Sequence, residues 1–122
     1  MSILDEITAL RQRQVERGFG PNSVDTFAHG ELSRCAASLI VTAAAELAVM
    51  PAGRGCALHN DLQATADWLW PFPTQPINSD QPPRQLLLNS IGWLLDEVER
   101  IDRRAHADPL DRRLRVVKGG KR

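Results

Sequence analysis

The 122-residue sequence predicts an all-α fold: a small bundle of three main helices plus one short helix, with a long, ordered proline- and tryptophan-rich loop. Three observations carry that reading. Apolar residues recur every three or four positions in three separate stretches. Clusters of glycine and proline separate those stretches. No pair of alternating runs carries hairpin chemistry.

The first helix begins at Ser2, with Asp5 three residues later in a capping-box arrangement. Ile3, Ile7 and Leu10 mark its apolar face, with Leu4 and Val15 at the margins. It should stop at Gly18-Phe19-Gly20-Pro21, where Phe19 is placed to fold back onto the core. Residues 21–32 read as a turn-rich connection, because Asn22, Ser23, Asp25 and Thr26 all bond their own backbone in turns.

The central helix, from about Gly30 to Met50, is the most apolar and alanine-rich part of the chain. Glu31, Arg34, Ser38, Thr42 and Glu46 form one narrow polar stripe on it, which should face water, a ligand or partner side chains. The small residues also suit close helix packing between two copies, so a homo-oligomer is expected. A short helix from Asn60 to Trp68, capped by Asn60, follows. Five prolines between Pro71 and Pro83 then forbid regular structure, while Trp68, Trp70 and Phe72 argue for order and at least one buried tryptophan.

The last helix starts near Pro82-Pro83. Leu87, Ile91, Leu94, Val98 and Ile101 follow a 4-3-4-3 spacing, the cleanest apolar stripe in the sequence and the expected core face. The helix should run to about Arg104. The domain reading is one helical unit over residues 1–105 and a basic, flexible tail over 106–122.

Charge is uneven although the formal net charge is zero. From Arg103 to Arg122 there are eight basic residues against two acids, so residues 103–122 carry +6 and residues 1–102 carry −6. Such a tail offers a route to nucleic acid, but a solvated terminus is the favoured reading. The N-terminus lacks a secretory signal, and Glu31, Arg34 and Glu46 interrupt the one long apolar run, so neither membrane association nor export is expected. Cys35 reads as a small apolar filler, and Cys56-x-x-His59 is a ligand-like pair far short of a zinc site.

The order RQRQVERGF, HGELSRCAA, WPFP and PPRQLLLNSIGWLLDEVERIDR resembles a widespread family of small proteins encoded by bacteriophages and prophages. That family's pattern runs R-Q-x-x-E-G-[WF], G-E-L-x-x-A-A, W-P-W, K-P-x-x-x-R-x-L-x-x-A and E-I-E-R-L-D-R. The resemblance spans about Arg11 to Arg104. Trp70-Pro71-Phe72 stands in for W-P-W, and the lysine before the proline is absent. The resemblance implies a phage setting, hence the host-cell cytoplasm. By analogy with other small phage proteins it implies counter-defence by stoichiometric binding.

Two chemistries are expected to compete. Against the alternative that both tryptophans are core and Arg84 pairs with an acid such as Glu31, the first has Trp68, Trp70, Phe72, Arg84 and Asn89 clustered around the loop and the start of the last helix, with Glu31 and Arg34 of the polar stripe as further candidates. Aromatic stacking, an arginine fork and helix N-terminal donors would then bind a small nucleotide-like ligand or a host protein without catalysis or cofactor. In the second, Glu99-x-x-Asp102 with Asp96 holds magnesium in an all-α nucleotide pyrophosphohydrolase. That reading lacks its second carboxylate pair, since Glu31 is followed at i+3 by Arg34.

Overall fold

The computed structural model describes residues 2–52, 55–73 and 80–107. They form five helices: α1 Ile3–Glu16, α2 Pro21–Val24, α3 Glu31–Ala52, α4 Ala57–Leu69 and α5 Pro83–Ala107. No strand occurs among the described residues, as the sequence predicts.

The capping box of α1 is formed. The Ser2 hydroxyl accepts from the Asp5 amide at 3.1 Å, and the Asp5 carboxylate accepts from the Ser2 amide at 3.3 Å. At its other end Gly18 adopts φ +100°, the left-handed conformation that closes a helix. The Phe19 amide then bonds the Gln14 carbonyl at 3.0 Å, and the Phe19 ring meets Trp93 edge-on with centroids 5.0 Å apart. The expected turn region after it contains the short helix α2, started by Pro21 at a position where a missing N–H costs nothing.

Helix α3 lies between α4 and α5, and α1 and α2 pack on α5. Cys35, Leu39 and Ala43 of α3 form the main core with Leu86 of α5, and Trp70, Phe72 and Trp93 pack against it. A second cluster joins Ile7 and Leu10 of α1 to Leu88 of α5. Burial pushes the Cys35 thiol up to about 12, so it is an inert filler at neutral pH.

The polar stripe of α3 is not a single solvent-facing line. Ser38 and Thr42 are buried. Ser38 donates to the Ala66 carbonyl of α4 at 2.7 Å, and Thr42 donates back to the Ser38 carbonyl at 2.8 Å. Short hydroxyl side chains satisfy themselves on backbone carbonyls and so enter the α3–α4 contact without an unpaired polar atom. Helix α4 begins three residues earlier than expected. Cys56 caps it, its Sγ accepting from the His59 amide at 3.3 Å. Asn60 instead donates to the Gly55 carbonyl at 3.0 Å. His59 is a buried residue whose Nδ1 lies 2.9 Å from the Ala45 carbonyl.

The largest departure concerns α5. Its predicted core stripe is not buried: Leu87, Ile91, Leu94, Val98 and Ile101 are 37–55% exposed. A second 4-3-4-3 stripe, Leu86, Ser90, Trp93, Glu97 and Arg100, turns inward instead. Leu86 is the anchor, and the polar members are satisfied. Ser90 donates to the Leu87 carbonyl at 2.6 Å, and Glu97 accepts from Ser33 of α3 at 2.9 Å and from Arg100 at 2.5 Å.

The helix extends to Ala107, slightly past its expected end. The expectations for the basic tail from residue 108 onward, and for residues 74–79 of the proline-rich loop, lie outside the described residues. No helix among the described residues is long and apolar enough to cross a membrane.

Candidate ligand-binding cleft between α1 and α5

Where α1 crosses α5, position 92 is glycine. A Cβ there would lie 2.8 Å from Leu10 Cδ2 and 3.2–3.3 Å from the amide atoms of Gln14. The absent side chain lets the end of α1 settle onto α5. It carries Gln14 into the interface, where the residue is 8% exposed. Its Oε1 is buried and accepts no hydrogen bond from the described residues.

Below this contact opens a cleft of about 310 Å³, at the small end of the range for small-molecule sites. Leu10, Arg13, Gln14, Arg17 and Phe19 line one wall, and Gln81, Gln85, Asn89 and Trp93 the other. The i, i+4 spacing of Gln85, Asn89 and Trp93 places all three on one face of α5. Gln85 Nε2 donates to Asn89 Oδ1 at 2.9 Å, and Asn89 Nδ2 donates to Gln81 Oε1 at 2.9 Å. These two bonds fix the direction in which each amide points, leaving the second N–H of each side-chain amide and the spare lone pairs for a guest. Arg13 and Arg17 have no carboxylate partner among the described residues and lie on the rim.

A larger cleft of about 540 Å³ runs between α1, α2 and α5. Its charges are already matched. Arg11 binds Asp96 at 2.9 Å and Glu99 at 2.6 Å, and Arg103 binds Asp25 at 2.6 Å. Burial holds the Asp96 carboxyl above its usual range, against the pull of Arg11. The folded state therefore holds that proton more tightly than the unfolded chain, and stability from this group falls as pH rises through the folded pKa. Asp96→Asn, which mimics the protonated form, should be at least as stable as the wild type at pH 7. The advantage should fade below about pH 4, where both states bind the proton. Denaturant melts at the two pH values check this, and a destabilised variant at pH 7 would refute it.

The sequence-predicted site residues do not share one place. Asn89 lines the amide cleft. Trp70 belongs to the core, its ring edge-on to Phe72 at 5.6 Å. Trp68 is 79% exposed on α4. Arg84 donates to Glu6 of α1 through Nη1 and Nη2, at 3.0 and 2.6 Å, which holds the Glu6 carboxyl below its ordinary range. Glu31 accepts from the His29 amide at 2.6 Å, and Arg34 is exposed on α3.

Of the carboxylates proposed for magnesium, Asp96 and Glu99 face Arg11, whereas Asp102 is exposed. Among the described residues no group of three His, Cys, Asp or Glu side chains is placed to hold a metal ion.

Sequence reasoning missed Gln14, Gln81, Gln85, Arg13, Arg17 and Trp93 as cleft residues. One signal was present: Ile7, Leu10 and Gln14 follow a 3-4 spacing, which puts an amide on the apolar face of α1. Comparisons with protein-family models, with curated proteins and with solved structures find no match.

Proposed function

We propose that this chain is a phage- or prophage-encoded accessory protein that binds a small nucleotide-like ligand stoichiometrically in the α1–α5 cleft, in the host cytoplasm, as a counter-defence function. The observation that carries the ligand class is the amide lining: Gln14, Gln81, Gln85 and Asn89 around one cleft, with a buried acceptor on Gln14 that no described residue pairs. Primary amides present a donor and an acceptor side by side, matching the edge of a nucleobase. Arg13 and Arg17 supply cationic forks for a phosphate at the rim. The phage setting rests on the motif order, RQRQVERGF through VERIDR. The reading calls for no cofactor.

The pyrophosphohydrolase alternative is weakened by Arg11, which occupies the space between Asp96 and Glu99 that a cation would need. A thermal-shift screen of the full chain against a nucleotide panel, with and without magnesium, tests the choice. A ligand that raises the melting temperature and is recovered intact on denaturation supports sequestration. Magnesium-dependent turnover abolished by Glu99→Gln would establish the enzyme instead. Binding of a host protein with no small-molecule shift would move the reading to a protein partner.

A further inference from the structure

Helix α5 buries a stripe that contains Ser90, Glu97 and Arg100 and leaves in water the stripe made wholly of leucine, isoleucine and valine. A chain that folded only for itself would gain more by the opposite choice, because buried hydrocarbon is the main favourable term in folding. The arrangement is accounted for when both stripes are buried, one inside the protomer and one between protomers.

Helix α3 extends the same face. The Ser33–Glu97 bond at one end and the packing of Leu39 and Ala43 with Leu86 toward the other make α3 and α5 an antiparallel pair. Trp70, Phe72 and Trp93 cover one side of that pair. At 3.6 residues per turn, the 4-3-4-3 stripe of α5 lies on the other side. So does a 3-4-3 stripe of α3, Ala37, Ile40, Ala44 and Leu47, with Ile40 40% and Leu47 55% exposed. Helix α4 and helix α1 do not cover this side. They join α3 and α5 elsewhere, through Ser38 to Ala66, His59 to Ala45, and Arg11 to Asp96 and Glu99.

We propose that this α3–α5 face is the interface of a two-fold homodimer, in which two antiparallel helix pairs meet to form a four-helix layer. The spacing on both helices is the 3.5-residue repeat of knobs-into-holes packing, and an identical face is complementary to itself across a dyad. Ala37 and Ala44 keep α3 low enough for the partner's larger side chains to enter. No charged side chain interrupts either stripe. The seven large exposed residues present about 600 Å² of surface per copy, at the top of the apolar patch a lone monomer usually leaves in water. Doubled, that is about 1,200 Å² before any polar rim, the lower bound of specific interfaces. The amide cleft lies on the other side of α5, so ligand binding and dimerisation are tested independently.

Sedimentation equilibrium of the full chain should give twice the 13.5 kDa protomer mass at micromolar concentration. Leu94→Glu, near the middle of the α5 stripe, should raise the dimer dissociation constant at least 100-fold while circular dichroism stays helical. Val98→Lys, at a more exposed position, should do the same and guards against a folding defect in the first variant. A monomeric wild-type chain at 100 µM would overturn the proposal, whether the face is then covered by residues after Ala107 or by another protein. A dimer that survives both substitutions would overturn it equally, since its contact would lie elsewhere.

Discussion

Arg100→Met should lower stability by about 3–5 kcal/mol, the largest loss expected from any single substitution considered for this protein. Arg100 is 9% and Glu97 5% exposed, and the two are joined by the 2.5 Å Nε–carboxylate bond within α5. Methionine keeps the length and apolar volume of the arginine stem but removes the charge, leaving Glu97 in the α3–α5 contact with only the Ser33 hydroxyl as partner among the described residues. An uncompensated buried carboxylate is far costlier than the pair was favourable. The double variant Glu97→Leu/Arg100→Met should therefore recover most of the loss. Urea melts of the wild type, the two single variants and the double variant close the cycle. A single variant within 1 kcal/mol of the wild type would mean that water reaches Glu97 and that the α3–α5 contact is looser than described.

Trp70→Ala should cost about 3 kcal/mol of folding stability, the low end of the range for a truncated core tryptophan because the ring is half-buried. Its ring packs on the cluster of Cys35, Leu39, Ala43 and Leu86 and meets Phe72 edge-on, with Phe72 in turn edge-on to Phe27 at 5.6 Å. The alanine variant removes one end of that aromatic chain and leaves a cavity beside α3. Arg84→Ala should leave the unfolding midpoint unchanged, since the Arg84–Glu6 pair is exposed and such pairs contribute little. Ligand affinity should survive both substitutions, because neither side chain lines the amide cleft. Loss of binding at constant stability in either variant would return the site to the proline-tryptophan corner.

Helix existence was legible in the chain because local spacing and punctuation agree: the Ser2–Asp5 box, Gly18 and the prolines near Pro83 each mark an end that the structure keeps. Helix orientation was not legible in α5. Two stripes of identical spacing share that helix, and hydrophobicity selects Leu87 to Ile101, whereas the fold buries Leu86 to Arg100. Periodicity ranks stripes by apolarity, but it does not register that Glu97 and Arg100 neutralise each other three residues apart. The same limit applies to Ser38 and Thr42, whose polarity vanishes once Ala66 and Ser38 carbonyls accept from them.

The cleft was the least legible part. Gln14 is more than sixty residues from Gln81, Gln85 and Asn89, and only the packing of Leu10 and Gln14 over Gly92 brings them together. Aromatic and charged residues near the prolines drew attention to Trp70 and Arg84, which the fold spends on the core and on Glu6.

The most direct test of the amide cleft is Gln14→Leu. Leucine matches the buried setting and removes an acceptor that no described residue satisfies, so stability should hold or rise slightly. Calorimetric titration with the nucleotide that shifts the wild-type melting temperature most should show affinity falling at least tenfold in the variant. Unchanged affinity in a folded Gln14→Leu protein would contradict ligand binding in this cleft.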